Sequence, residues 1–403
     1  MKILHINVAL ITDAPGRIAE EIGKVLIDNG HQSYIAYGRY PRPTISETIK
    51  IGNYTDQFLH LALTRIFDNH GFGSVKATRK FIRQIDEVDP DVIHLHNLHG
   101  YYLNIDVLFG FLRKAGKPIV WTMHDCWPFT GHCSHYDYVG CDRWKSKCYA
   151  CPNKNAYPAS WLIDNSTGNY FRKKNIFTGL NLLRIVAPSH WLANQLKESF
   201  LKDYPVDVLP NGVDLAVFKP QAENNSLKIR FGLKNKKLIL GVASFWGRHK
   251  GFDDFIKLSS LIAGDTAILL IGLNEQQQEG LPANIIGLSR TESLGELAAF
   301  YSAADVFVNP TYADTFPTTN LEALASGTPV VTYNTGGSPE ALNQVTGVIV
   351  EKGDLAGLSG AINSILDQGK NQFSERCHER AQLLYNKEKC FLKYLDLYKE
   401  MLT

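Results

Sequence analysis

Short apolar strand patterns alternate with helical patterns along the whole chain, and this alternation restricts the possible folds most strongly. In the first half, strand patterns occur at residues 2–8, 33–37, 91–95, 118–123 and 183–187. Amphipathic stretches separate them, as in the helix predicted after residue 189. Such alternation is typical of parallel sheets with helices on both faces. The first half therefore predicts a doubly wound α/β domain.

A second series of the same kind follows residues 211–214. Its strand patterns lie at residues 238–242, 267–271, 284–287, 305–309, 329–333 and 347–350. Residues 219–225 are polar and contain a proline, so they are interpreted as a linker. We predict two Rossmann-like domains, residues 1–209 and 210–385, facing a deep interdomain cleft. Apolar residues at helical spacing predict an amphipathic helix within residues 386–403.

Composition excludes several classes of protein. The 403 residues carry 42 Lys and Arg against 40 Asp and Glu, so bulk basicity does not point to nucleic acid. No apolar run approaches the roughly 20 residues of a membrane helix. Residues 1–8 form a strand pattern and not a signal peptide. We expect a cytoplasmic protein whose contact with the inner face of the cell membrane is peripheral.

Residues 310–331 carry the most informative motif. Asp314 lies in the loop after a predicted strand, and Glu322 lies on the helix that follows. Thr318 or Thr319 is expected to cap this helix, and Gly327 suits its left-handed end. A helix N-terminus binds phosphate on its backbone N–H groups, and carboxylates accept hydrogen bonds from hydroxyl groups. These are the requirements of a sugar nucleotide.

The same block resembles the acid–seven residues–acid signature of the retaining glycosyltransferases of family four, also called group 1, which share the GT-B fold. Glu322 matches the second acid. The family usually has Glu at the first acid, whereas this chain has the shorter Asp314. The resemblance extends over nearly the whole chain and is greatest to exopolysaccharide and colanic-acid-type sugar transferases. It implies GT-B architecture, with the last helix crossing back to the first domain.

The resemblance also implies a donor site in the second domain. It assigns Lys250, in a Lys-Gly dipeptide, and Arg248 to the diphosphate, although the family usually places its arginine further upstream. It implies that Glu322 accepts hydrogen bonds from the ribose hydroxyls and that Asp314 accepts one from a hydroxyl of the donor sugar. The segment formed by Thr315, Phe316, Pro317 and Thr318 would contact sugar and phosphate. A solvated basic loop is the plain alternative for Arg248.

Two candidate residues lie in the first domain. His124 stands at the end of a buried strand pattern, where the family places a histidine that faces the reacting sugar. Asp125 is expected to orient His124 or to bind acceptor. A satisfied core histidine is the alternative. Gly16 corresponds to a glycine loop near the donor phosphates, and a plain turn at residues 14–16 is the competing interpretation. His94 and His96 alternate onto one strand face, where lining of the donor cleft is favoured over metal binding.

A cysteine-rich insertion spans residues 126–152. The candidate metal ligands are Cys133, Cys141, Cys148 and Cys151. The last two have the Cys-x-x-Cys spacing of half a zinc knuckle. Structural zinc, free thiols and disulfides all remain open. A subset of exopolysaccharide glycosyltransferases has a similar segment, which implies a local structural role.

The resemblance therefore implies a metal-independent, retaining hexosyltransferase that needs no cofactor for catalysis. Its donor would be a UDP- or GDP-sugar and its acceptor a surface polysaccharide or a lipid-linked oligosaccharide. A nonhydrolysing sugar-nucleotide epimerase and a non-catalytic nucleotide-sugar-binding protein are the alternatives. Residues 170–177 and the basic side chains of Lys76, Arg79, Lys80 and Arg83 would meet anionic lipid, or would simply be solvated helix faces.

Overall fold

The computed structural model describes residues 1–12, 14–221 and 225–403, and the chain forms two compact units. The first unit contains Met1–Pro210 and Phe391–Thr403, and the second contains Asn211–Cys390. The stretch 219–225, interpreted as a linker, lies partly outside the described residues. The first boundary between the units follows Pro210, one residue after the predicted end of the first domain at 209. The second follows Cys390, five residues after the predicted end of the second domain at 385.

In the described part of the first unit, seven parallel strands form one sheet with the order β3-β2-β1-β4-β5-β6-β7. These strands are β1 (Lys2–Ala9), β2 (Gln32–Arg39), β3 (Glu47–Lys50), β4 (Val92–Leu95), β5 (Ile119–Thr122), β6 (Leu183–Ala187) and β7 (Val206–Val208). The order reverses between β1 and β4. The loops that follow these two strands therefore run to opposite sides and leave an opening at the sheet edge.

Helices cover both faces of this sheet, and most of them bury apolar residues. They are α1 (Ala14–Asp28), α2 (Tyr54–Phe67), α3 (Val75–Val88), α4 (Ile105–Ala115), α5 (Ser166–Phe177) and α6 (His190–Glu198). Between β5 and α5 the chain forms short 3-10 turns at Trp127–Phe129, Asp137–Val139 and Arg143–Lys145. The buried side chains of Phe391, Tyr394 and Tyr398 join the core of this unit against α1 and the sheet.

In the described part of the second unit, six parallel strands have the order β10-β9-β8-β11-β12-β13. They are β8 (Lys237–Val242), β9 (Thr266–Ile271), β10 (Ile285–Leu288), β11 (Val306–Asn309), β12 (Val330–Tyr333) and β13 (Gly347–Val350). This is the strand order of the Rossmann fold, with its reversal between β8 and β11. Every side chain of β9, β11 and β12 is buried, as expected of strands covered on both faces.

The helices of the second unit lie before, between and after these strands. They are α7 (Asn225–Arg230), α8 (Phe252–Leu258), α9 (Glu275–Glu279), α10 (Leu294–Ala303), α11 (Thr318–Ala325), α12 (Leu355–Gln368) and α13 (Asn371–Leu384). Helix α14 (Lys387–Leu402) begins in this unit, and from Phe391 it belongs to the first. Among the described residues, no helix combines the length and apolar composition that crossing a membrane requires.

The prediction of two doubly wound, parallel α/β domains is confirmed. Two short strands were not predicted. β3 has one buried residue in four, and the three residues of β7 are all half-buried. Both lie at the edges of the first sheet, where the apolar pattern that identifies a buried strand is weak.

Candidate functional site

The candidate site of the second unit lies where its strand order reverses. The loop after β8 leads into a 3-10 turn at Arg248–Lys250, and the loop after β11 leads into α11. Since β8 and β11 are hydrogen-bonded neighbours, both loops leave the sheet from the same edge. His249 links them, because its carbonyl accepts a hydrogen bond of 2.8 Å from the backbone N–H of Tyr312. The reversal of strand order thus brings two predicted site segments together.

Lys250 and Asp314 form an ion pair at this point. Lys250 Nζ lies 2.6 Å from Asp314 Oδ2, and the two side chains keep 29% and 17% of their surface exposed. The Arg248 side chain is 84% exposed, and its Nε lies 3.8 Å from Asp253. The structure therefore brings Lys250, but not Arg248, to the first acid of the motif.

A glycine turn after β12 supports Asp314, and sequence reasoning missed it. The carbonyl of Asp314 accepts a hydrogen bond of 3.2 Å from Gly337 N. Gly336 has a φ of 56°, and a Cβ added there would lie 1.8 Å from that carbonyl oxygen. Only glycine fits this approach. The Gly-Gly pair was visible in the sequence, but nothing local indicated that it would lie against Asp314.

The start of α11 differs from the prediction. Pro317, and not Thr318 or Thr319, occupies the N-cap position, with Thr318 as the first helical residue. Pro317 has an extended conformation, with φ of −68° and ψ of 119°, and no described side chain caps the helix there. Its neighbours Thr315 and Phe316 are buried, and the carbonyl of Phe316 accepts a hydrogen bond of 3.2 Å from Asn211 Nδ2.

The far end of α11 follows the prediction. Gly327 has a φ of 72°, so it adopts the expected left-handed conformation beyond the last turn of the helix. Thr328 then donates a hydrogen bond of 2.6 Å to the carbonyl of Tyr301, which fixes the exit of the chain. The helix that carries the second acid is therefore held at both ends.

Glu322 lies on the second turn of α11 and is half-buried. Its Oε2 accepts a hydrogen bond of 2.8 Å from the hydroxyl of Tyr301 on α10. Nearby, Asn320 accepts from Asn309 Nδ2 at 2.8 Å and donates to the Ser338 hydroxyl at 3.0 Å. These contacts fix α11 relative to the ends of β11 and β12. The predicted motif becomes a carboxylate held by a tyrosine on one side of a rigid helix.

His124 follows β5 in the first unit and ends a chain of histidines. Its Nε2 lies 3.0 Å from His96 Nδ1, with the two rings within 15° of parallel. His96 Nε2 in turn lies 3.1 Å from Nδ1 of His5. Burial lowers the pKa of His124 to about 4 and that of His5 to about 3. At neutral pH these imidazoles are therefore uncharged.

His94 and His96 are fully enclosed, so the expectation that they line a cleft is wrong. His94 contacts the hydroxyl of Tyr398 at 2.6 Å and that of Thr122 at 2.8 Å. Among the described residues, one group of three potential metal ligands has its ligand atoms within 4.8 Å of one another, and it consists of His5, His94 and His96. Both ring nitrogens of His94 and of His96 already have partners. The arrangement is therefore a buried hydrogen-bond network behind His124.

Asp125 pairs with another histidine than the expected one. Its Oδ2 lies 2.6 Å from His99 Nε2, and its Oδ1 accepts a hydrogen bond from Trp127 N at 2.9 Å. His99 contacts the hydroxyl of Tyr157 through Nδ1 at 2.9 Å. Asp125 thus stabilises the start of the cysteine-rich segment, while His96 contacts His124 at 3.0 Å.

Four further expectations concern the first unit. Gly16 is buried in the first turn of α1, which begins at Ala14, so the expected turn or loop at residues 14–16 is wrong. In the stretch 170–177, Lys173 and Phe177 are buried, while Phe171, Arg172 and Lys174 are exposed. The side chains of Lys76, Arg79, Lys80 and Arg83 are exposed on α3. The four candidate metal ligands Cys133, Cys141, Cys148 and Cys151 are free thiols around one cavity.

Comparison with protein-family models matches both halves of the chain. Residues 16–217, half of the chain, match the model described as Glycosyltransferase Family 4. Residues 236–368 match the model described as Glycosyl transferases group 1. The second match contains Lys250, Asp314 and Glu322.

Individual proteins are similar over the full length. WcaC of Escherichia coli (strain K12), provisionally named a colanic acid biosynthesis glycosyl transferase, is 24% identical over 100% of both chains. Sucrose-phosphate synthase from Thermosynechococcus elongatus has a TM-score of 0.74 at 19% identity, covering 100% of this chain and 99% of that one. Anabaena HepE in complex with UDP has a TM-score of 0.70 at 16% identity, covering 99% and 100%. These structural likenesses establish the GT-B fold.

Proposed function

We propose that this chain transfers a sugar from a nucleotide donor with retention of configuration. It belongs to the glycosyltransferases, because glycosyltransferase family models match residues 16–217 and 236–368. The acceptor is a hydroxyl group of a surface polysaccharide or of a lipid-linked oligosaccharide. The contact between Lys250 and Asp314, on the switch point that also carries Glu322, is the observation that supports this proposal best. WcaC, whose name refers to colanic acid biosynthesis, supports the class of acceptor.

The donor diphosphate is placed at the loops after β8 and β11. Lys250 supplies a positive charge. The backbone N–H groups at the start of α11 donate hydrogen bonds to phosphate, and the helix dipole favours negative charge at that end. Glu322, held by Tyr301 at 2.8 Å, accepts the ribose hydroxyls. Asp314 accepts a hydroxyl of the sugar. HepE was crystallised with UDP, so UDP-sugars are the first donors to test and GDP-sugars the second.

The same groups account for the chemistry of transfer. As the bond between sugar and phosphate breaks, negative charge grows on the diphosphate, and Lys250 with the N–H groups of α11 stabilises that charge without requiring a divalent ion. The departing phosphate oxygen takes the proton of the acceptor hydroxyl, which attacks from the same face. His124, uncharged and in contact with His96, is the candidate of the first unit for a polar contact to the substrate.

Calorimetric titration with UDP- and GDP-sugars tests the donor site. One donor is expected to bind, and Glu322→Gln is expected to weaken it about 10-fold to 100-fold, since a charged hydrogen bond contributes about 1.5–3 kcal/mol. Glu279→Gln, at the exposed end of α9, is the control that should keep full affinity. Equal affinity of the Glu322→Gln variant would contradict the assignment.

Turnover separates the proposed enzyme from its alternatives. A transferase releases nucleoside diphosphate only with an acceptor present. Interconversion of the donor without acceptor would favour an epimerase, which needs acid and base groups on both faces of the sugar. Binding without turnover on any polysaccharide or lipid-linked acceptor would favour a non-catalytic sensor.

We further propose peripheral attachment to a membrane through an apolar face of α2. Its exposed side chains are Tyr54, Phe58, Leu59, Leu63, Ile66 and Phe67. The segment Trp161–Ile163 extends this face: Trp161 N donates a hydrogen bond of 2.7 Å to Arg65 O, and Trp161 is 69% exposed. Contiguous exposed apolar surface of this kind marks interaction sites. The exposed basic side chains of α3 belong to the same unit and would favour anionic lipid.

Sedimentation with vesicles containing an anionic phospholipid tests the attachment. Phe58→Ser combined with Trp161→Ser is expected to reduce the bound fraction strongly. Leu383→Ser, at a side chain 75% exposed on α13, is the matched control and should bind as the unmodified chain does. Failure of the unmodified chain to sediment, or an equal loss in the control, would contradict the proposal.

A further inference from the structure

A small cavity lies inside the cysteine-rich segment of the first unit. Its volume is about 20 Å³, enough for a water molecule or one metal ion. The thiols of Cys133, Cys141, Cys148 and Cys151 all contribute to its wall, although they are spread over 19 residues of chain. Cys126, in the same segment, is buried elsewhere. The fold therefore brings four of these five cysteines to the wall of one cavity.

A backbone donor contacts one of the sulfurs. Gly131 N donates to Cys148 Sγ at 3.1 Å. Donation of backbone N–H groups stabilises the thiolate, which is the form that binds metal. Gly131 must be glycine for this approach, because an added Cβ would lie 2.1 Å from Ser166 O.

A buried lysine lies behind the cavity. Lys173 is 1% exposed, and its Nζ donates to the carbonyls of Trp127 at 2.8 Å and Thr130 at 3.2 Å. Its ammonium group also lies 3.5 Å from the centre of the Trp127 ring. Carbonyls and an aromatic face do not neutralise a buried cation. Burial lowers the pKa of Lys173 to about 7, and the Asp68 carboxylate opposes this shift. Four thiolates on a metal ion would add to the negative charge that Asp68 supplies.

His132 presents an unsatisfied nitrogen in the same cavity wall. Its side chain is fully buried, and Nδ1 lies 2.6 Å from Asp68 Oδ1. Among the described residues, Nε2 has no hydrogen-bond partner. A carboxylate that fixes a histidine in this way is a common second layer around metal sites. With Nδ1 held by Asp68, Nε2 is oriented to serve a group inside the cavity.

We propose that Cys133, Cys141, Cys148 and Cys151 bind one structural zinc ion as thiolates, with His132 donating a hydrogen bond to a sulfur of the site. Each thiol releases its proton to solvent when it binds, so affinity falls as pH is lowered. No three of these described sulfurs all lie within 4.8 Å of one another, whereas zinc–sulfur bonds are about 2.3 Å. Binding therefore draws the loop inward around the ion. This role is independent of the sugar-transfer chemistry.

Metal analysis of the purified full chain tests the site. About one zinc per chain is expected, and treatment with a mercurial that blocks thiols should release it. Cys148→Ser and the less buried Cys141→Ser are expected to lose the metal. Cys126→Ser is the matched control, because Cys126 is 1% exposed in the same segment and outside the cavity wall; it should keep the metal.

Cobalt substitution of the unmodified chain identifies the ligands without relying on a variant that folds poorly. Four thiolates are expected to give a tetrahedral spectrum with strong sulfur-to-metal charge transfer. His132→Gln should keep that spectrum while binding the ion more weakly, by about 10-fold to 100-fold. A three-thiolate spectrum that changes in His132→Gln would overturn the ligand set. Absence of stoichiometric metal, equal loss in Cys126→Ser, or a mass lowered by disulfide formation would overturn the site.

Discussion

Lys250 Nζ lies 2.6 Å from Asp314 Oδ2, across 64 residues of chain. The two side chains come from the loops after β8 and β11, the strands between which the order of the second sheet reverses. A donor that places its diphosphate at this point must take over part of the charge of Lys250. Asp314 would then turn to the sugar, so the pair couples recognition of phosphate and of sugar.

Lys250→Met is expected to weaken donor binding by about 10-fold to 100-fold, because a charge-assisted contact to phosphate contributes about 1.5–3 kcal/mol. Arg248→Met serves as the control. Its side chain is 84% exposed, so its replacement should change affinity by less than about 5-fold. Calorimetric titration of both variants with the same nucleotide sugar measures the difference. A larger loss for Arg248→Met would assign the diphosphate to the arginine.

Asp314→Asn should distinguish sugar from nucleotide recognition. The amide keeps the shape of the side chain but loses the charge that a sugar hydroxyl and Lys250 both need. We expect affinity for free UDP or GDP to stay within about 3-fold of the unmodified value, while the added affinity of the sugar moiety is lost. Competitive displacement of a fluorescent nucleotide measures both constants. Equal losses for nucleotide and nucleotide sugar would remove Asp314 from sugar recognition.

Gly336→Ala is expected to destabilise the second unit by about 1–3 kcal/mol, since a non-glycine residue is strained at this φ and its Cβ would clash with Asp314 O. Donor affinity should fall as well, because Asp314 would be displaced. Gly360→Ala is the control. Gly360 lies inside α12 with open space around its Cβ position, so alanine should be neutral or stabilise by about 0.5–1 kcal/mol. Chemical unfolding gives both values, and similar effects at the two sites would contradict the contact.

The buried histidines predict loss of stability in acid. The pKa of His5 is lowered by burial from 6.5 to about 3, so between these values the unfolded chain binds more protons. Each such histidine lowers the free energy of unfolding by about 1.4 kcal/mol for every pH unit below 6.5. Full stability is therefore present above pH 6.5. Between pH 7 and 4, the free energy of unfolding should fall less steeply with pH in His5→Gln than in the unmodified chain. Equal slopes in the two proteins would contradict this prediction.

Local sequence identified the parts of the donor site but not their partners. Glu322 and Lys250 were predicted because each lies in a short motif after a strand pattern. Tyr301 and Gly336, which hold Glu322 and Asp314, lie 21 and 22 residues away from them in the sequence. Nothing in their own neighbourhoods distinguishes them from an ordinary helix tyrosine or turn glycine.

Burial decided several other questions that periodicity left open. Lys173 reads as one of several bases in a mixed helix, yet it lies behind the cysteine cavity. His94 and His96 alternate on a strand, as cleft-lining residues would, yet helix α14 encloses His94 through Tyr398. Burial depends on which distant element packs over a side chain, and a local pattern does not contain that information.

The sequence by itself determined the two parallel α/β domains, because strand and helix periodicities are local consequences of side-chain spacing. It also determined which residues could carry charge and bind hydroxyl groups. Only the tertiary structure decided that Lys250 meets Asp314 while Arg248 faces solvent, and that His96 contacts His124. It also decided that four cysteines and His132 line one cavity. Those relationships arise where distant loops converge at sheet edges, and long-range packing sets that convergence.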